Sequence, residues 1–72
     1  MDKSYEYMLE LAYERDKRFE KAEAIYRKRG GECWQLNAVK RACEACAYMD
    51  AIADMFGKGY DEVYEAVHEL HK

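Results

Sequence analysis

The sequence predicts an all-α fold: an antiparallel helical hairpin of two long helices plus a short third helix, forming one small bundle over residues 1–72. Three observations predict it. The 72 residues contain no proline, 50% are apolar and 38% charged, a mix that builds amphipathic helices and lacks the residue that stops them. Glycine is confined to two breaks, Gly30-Gly31 and Gly57-Lys58-Gly59, which cut the chain into three segments. Finally, the stretch from Leu36 to Phe56 is apolar around most of a helical circumference. Within residues 42–56 only Glu44, Asp50 and Asp54 are charged, and with Lys40 and Lys58 they trace one narrow polar stripe at about 100° per residue. Such a helix needs cover on two or three sides, so it is expected to be the central one.

The first helix is expected over residues 3–29, with Asp2 or Ser4 as its N-cap. Its apolar stripe is Tyr5, Met8, Ala12, Phe19, Ala22 and Tyr26, interrupted at Arg15 and Asp16. Arg27, Lys28 and Arg29 fill the last turn, where cations favour the negative end of the helix dipole, and Gly30-Gly31 supplies the left-handed cap and the turn. The second helix is expected from Glu32 or Cys33 to Phe56. So short a connection makes the pair an antiparallel hairpin. The third helix is expected over residues 60–71, with Asp61 and Glu62 in its first turn and Tyr60, Val63, Tyr64, Val67 and Leu70 on one face.

A hairpin folded about Gly30-Gly31 places residues whose numbers sum to about 61 side by side, Glu6 near Met55 and Glu14 near Ala47. Both long helices are most apolar at the open end, where the third helix returns, so the core is expected to be three-helix there and two-helix toward the glycine tip. Charge is segregated along the same axis. Residues 15–41 hold nine Lys/Arg (Arg15, Lys17, Arg18, Lys21, Arg27, Lys28, Arg29, Lys40, Arg41) against four acids (Asp16, Glu20, Glu23, Glu32), a balance of +5. The remainder holds Lys3, Lys58 and Lys72 against eleven acids, a balance of −8, giving the net −3. The small net charge conceals a dipolar rod.

Several function classes find little support. The amino-terminal MDKSYEYMLEL is charged from its second residue, and nowhere do 18 apolar residues run together, so the expectation is a soluble, cytoplasmic protein with no membrane partner. The three cysteines are odd in number, and Cys33 lies about 15 Å from Cys43 along a helix, beyond disulfide reach. Reduced thiols are expected, with Cys43 and Cys46 filling the core. Cys43-x-x-Cys46 sits in mid-helix without a second pair, against the usual geometry of structural zinc, and away from the helix N-terminus that would activate a redox thiol. Glu65-x-x-His68 and His68-x-x-His71 give a single ligand-spaced motif where a di-metal bundle needs four helices to contribute. No metal or cofactor and no enzyme activity are expected.

Glu20-x-x-Glu23 followed by Asp50-x-x-x-Asp54 resembles the all-α nucleotide pyrophosphohydrolases, whose paired acidic motifs on neighbouring helices hold magnesium. The chain departs from that pattern at Ala47, where an acid three residues after Glu44 would stand. The hairpin register also sets Glu20 and Glu23 opposite residues 38–41 and away from Asp50. These acids read as solvated faces.

What remains are surfaces for a partner. Arg27, Lys28, Arg29, Lys40 and Arg41, with Lys21 and Trp34 nearby, make a basic tip suited to phosphate and stacked bases. The acidic balance of the chain and the absence of helix-turn-helix spacing oppose that use. Seven tyrosines are too many for so small a core, and Tyr7, Tyr13 and Tyr64 are expected to join the tip residues in partner binding. The expected function is a non-catalytic protein-interaction module that docks on a larger protein, self-associates as a homodimer, or both. A nucleic-acid-binding hairpin using the tip is the alternative, and a small metal-binding protein the second. In size and character the chain also looks like the small inhibitors and accessory proteins of phages and mobile elements. That likeness implies a target among nucleic-acid-handling or host-defence proteins and assigns no residue.

Overall fold

The computed structural model describes residues 3–72. Helix α1 spans Lys3–Arg29, α2 Glu32–Phe56 and α3 Tyr60–Glu69, and no strand occurs among the described residues. The chain is an elongated three-helix bundle, 43 × 23 × 16 Å. The all-α hairpin with a short third helix is as expected from its sequence.

The hairpin turn depends on glycine. Gly30 and Gly31 have φ of 66° and 93°, backbone that side chains with a Cβ rarely adopt, and the Gly30 amide donates to the Tyr26 carbonyl at 2.7 Å. The second break works similarly: Gly57 is left-handed at φ 64°, and the Lys58 amide donates to the Ala53 carbonyl at 2.9 Å. Gly59, at φ −79°, is ordinary extended backbone leading into α3.

The hairpin register matches the turn. Tyr5 and Phe56 meet edge to face with centroids 5.1 Å apart, and the Arg15 guanidinium lies 5.4 Å from the centre of the Tyr48 ring. The core sits at the open end, where Leu9 and Ala12 of α1, Ala45, Met49, Ile52 and Ala53 of α2, and Val63 and Val67 of α3 are buried together. Met49, Ile52, Val63 and Val67 are the largest side chains sealed from solvent, each contributing roughly 1.5–3 kcal/mol of apolar transfer. Ala12 and Ala45 are the small residues buried between α1 and α2 in that core. Toward the glycine turn only Ala22 and Ala38 are buried, so the tip is two helices deep, as the apolar distribution implies.

Four expectations need correction. Ser4 lies inside α1, which already begins at Lys3, and so is not its N-cap; the other candidate, Asp2, lies outside the described residues. The third helix ends at Glu69, two residues short of His71: Leu70 caps it, its amide donating to the Val67 carbonyl at 3.3 Å, and the chain leaves through a turn. Tyr64 is 44% exposed and stacks on the outer side of α3 against His68, so the core face of α3 is narrower than its apolar residues suggest. Cys33, Cys43 and Cys46 are all exposed. The cause is the side on which α2 is covered: its neighbours pack on the face of Ala38, Ala45, Met49 and Ile52, and Cys43 points the opposite way, with Asp50 and Asp54. One face of α2 is therefore left uncovered, with Leu36 61% and Val39 54% exposed.

Candidate functional site

The surface of the bundle has two features of interest, of which the first follows from the shortness of α3. The first is an open groove of about 280 Å³ between the helices at the tip, lined by Phe19, Glu23, Tyr26 and Arg27 of α1 and Gln35, Ala38, Val39 and Ala42 of α2. It prolongs the groove α3 occupies. On α2 the row Ala53, Met49, Cys46, Ala42, Val39, Gln35 steps back by three and four residues along one face, and its first half lies against α3. On α1, Leu9 and Ala12 pack in the α3 core and Asp16 touches the last turn of α3, while Phe19 and Glu23 continue into the open half. The groove floor is apolar and its rim is polar and partly basic.

The expected tip residues surround this groove unevenly. Arg27 lines it and pairs with Glu23 at 3.1 Å, which fixes the guanidinium at the rim. The Arg29 guanidinium lies 5.6 Å from the centre of the Trp34 ring, which is 37% exposed. Arg41 is half-buried and bonds Glu44 at 3.2 Å. Lys28 and Lys40 are exposed and make no ion pair among the described residues, so they carry the uncompensated charge of the tip.

The three tyrosines lie elsewhere. Tyr7 is at the opposite end, 64% exposed, beside Met8, Met55 and Phe56 in a second open hollow of about 360 Å³. Tyr13 is half-buried, with its ring 4.3 Å from that of His71 and the Lys17 ammonium 5.2 Å from its centre. Tyr64 lies on α3 with its ring 4.1 Å from that of His68. The residues expected to bind partners thus fall at three places: the tip, the α1–α3 seam, and the base.

The titratable groups along α3 are engaged with one another. His68 Nδ1 donates to the Tyr64 carbonyl at 2.8 Å, while Nε2 lies 3.4 Å from Asp16 Oδ2. Burial pushes the Asp16 carboxyl up, against the opposing pull of His68. His71 Nε2 bonds Glu10 Oε2 at 2.9 Å. The phenol of Tyr60 is pushed up to about 12 by its hydrogen bond with the Cys46 thiol and then by burial. Glu20 pairs with Lys17 at 3.0 Å. Among the described residues no three His, Cys, Asp or Glu side chains gather into a group that could hold a metal ion. No helix of the described residues is long and apolar enough to cross a membrane.

The groove residues Phe19, Val39 and Ala42 and the Asp16–His68 pair were missed by sequence reasoning. Phe19 stood in the stripe of α1 as core, and Asp16 only as its interruption. The signal available was that the two apolar rows run past the reach of a ten-residue third helix. No family model, curated protein or solved structure matches the chain.

Proposed function

We propose that the chain is a non-catalytic protein-binding module whose tip groove receives an acidic amphipathic helix of a larger protein. The observation that carries this reading is that α3 fills only the base half of the inter-helix groove, leaving an apolar floor of Phe19, Ala38, Val39 and Ala42 open at the tip. The occupant's chemistry follows from α3, which enters the same groove with small β-branched side chains, Val63 and Val67, and carries acids in its first turn. A second helix of that kind, laid end to end with α3, would bury the floor and bring an acid to Arg27 at the rim. A small protein occupying a helix of a nucleic-acid-handling or defence protein in this way would act as an inhibitor or accessory factor.

The experiment is a paired pull-down from nuclease-treated bacterial lysate, with the wild-type chain and Ala42→Glu as baits, both checked for helicity by circular dichroism. Ala42 lines the open groove, so the added carboxylate repels an acidic occupant while leaving the base core intact. A stoichiometric protein retained by wild type and lost by Ala42→Glu supports the reading. Equal retention by both moves the contact off the groove and refutes it. An empty wild-type lane, with purified nucleic acid bound in a separate assay and released by moderate salt, would replace it with the basic-tip alternative.

A further inference from the structure

A second surface is the outward face of α2, turned away from both other helices, with Cys46 at its edge beside Tyr60 of α3. At about 100° per residue, Leu36, Val39, Lys40, Cys43, Cys46, Ala47, Asp50 and Asp54 fall within an arc of about 120°, on the side away from the buried Ala38, Ala45, Met49 and Ile52. All eight are exposed. Leu36, Val39, Cys43 and Cys46 follow the three-four spacing of a coiled-coil seam. The seam is apolar in its first half and centre, with a cation beside it at Lys40 and acids at its far end.

We propose that this face binds a second copy of the same chain, with the two α2 helices antiparallel about a two-fold axis between Cys43 and Cys46. Three features select this occupant and this direction. A two-fold interface must complement itself, and turning α2 end over end sets Lys40 of each copy beside Asp50 of the other, with Asp54 about 7.5 Å further along the helix. A parallel pair would instead stack Lys40 on Lys40, Asp50 on Asp50 and Asp54 on Asp54, like charges throughout. The axis also falls at the midpoint of α2, next to Glu44, so both helices overlap along their whole length of 25 residues. The antiparallel arrangement further lays each basic tip, balance +5 over residues 15–41, beside the acidic base of its neighbour. Cys43 of each copy then lies across from Cys46 of the other. Only Val39 is shared with the tip groove, so this interface stands or falls separately from the docking reading.

Sedimentation equilibrium of the reduced protein across a concentration series tests the proposal. Wild type should move from monomer to dimer as concentration rises. Lys40→Glu should raise the dissociation constant by about tenfold or more, and Lys40→Glu combined with Asp50→Lys and Asp54→Lys should restore it. Ala47→Glu should abolish the dimer yet keep any partner captured through the groove, whereas Ala42→Glu should keep the dimer. All these sites are solvent-facing or at an open rim, and circular dichroism verifies that each variant is folded. Direction is read by mild oxidation of two single-cysteine chains, Cys33→Ser/Cys46→Ser and Cys33→Ser/Cys43→Ser. Antiparallel packing gives more cross-linked dimer from their mixture than from either alone. A wild type that stays monomeric at every concentration overturns the interface, and stronger cross-linking of each variant with itself overturns the antiparallel direction.

Discussion

His68 Nε2 lies 3.4 Å from Asp16 Oδ2, joining the last turn of α3 to the middle of α1. Because His68 Nδ1 already donates to the Tyr64 carbonyl, Nε2 has a proton to give Asp16 only when the imidazole is charged. Burial nevertheless dominates at Asp16 and raises its carboxyl above the usual range. A raised carboxyl means that folding favours the protonated form. The stabilising contribution is complete below the unfolded value and is lost as pH climbs through the folded one. In Asp16→Asn this loss is absent. Thermal melts should therefore show the variant gaining on wild type as pH rises from about 3 to about 6. A variant that loses ground to wild type over that range would contradict the burial argument.

Ala45 is 3% exposed within the core cluster, so Ala45→Asp places an unpaired charge in the core. The cost is several kcal/mol, comparable with the whole stability of a domain this small. Far-UV circular dichroism should show loss of most helicity at 25 °C. Ala24→Asp, on the exposed side of α1, should leave the spectrum unchanged. Wild-type stability in Ala45→Asp would refute the packing of α1 on α2.

Ile52 is fully buried among all three helices. Ile52→Ala should cost about 3 kcal/mol in urea denaturation, through lost transfer energy and the cavity left behind. Leu36→Ala, at an exposed site, should change the stability of the dilute monomer by less than about 0.5 kcal/mol.

The two glycine breaks should respond differently to alanine. Gly31, at φ 93°, occupies backbone that strains a Cβ although nothing crowds it, and Gly31→Ala should cost about 1–3 kcal/mol. Gly59 has ordinary backbone and open space around it, so Gly59→Ala should be within about 0.5 kcal/mol of neutral. Equal losses at both would mean that the hairpin turn is not conformationally demanding.

All three thiols are exposed. A thiol-reactive chromophore should therefore titrate three groups in the native, dilute protein without denaturant. Cys46 should be the slowest, because its sulfur is engaged by Tyr60. Fewer than three reactive thiols would restore the view of these cysteines as core.

The hairpin was legible because its determinants are local. Two glycine breaks mark the turns, and the three-four spacing of Ala12, Phe19, Ala22 and Tyr26 marks the buried side of α1. The exposure of Cys43 and Cys46 was not legible. Both are apolar residues in an apolar stretch, and what decides their burial is which side of α2 the other two helices take up. The candidate site was legible in part. The sequence showed the basic end and its Trp34, but the groove exists only between two helices, and its floor of Phe19 and Ala42 reads along either helix as ordinary core. The tyrosines misled for a related reason: their number signals interfaces, while their placement at three separate spots depends on which face of each helix is already taken.

The two-layered tip also sets the order in which the molecule comes apart. Amides of the base are protected by side chains from three helices, those near Gly30 only by Ala22, Ala38 and their half-buried neighbours. Local opening at the glycine turn should therefore cost less than opening of the base core, a difference that hydrogen exchange of the α1 and α2 amides would read. A helix lodged there would slow hydrogen exchange well beyond the residues it touches, and the chain would report its occupancy as a rise in rigidity.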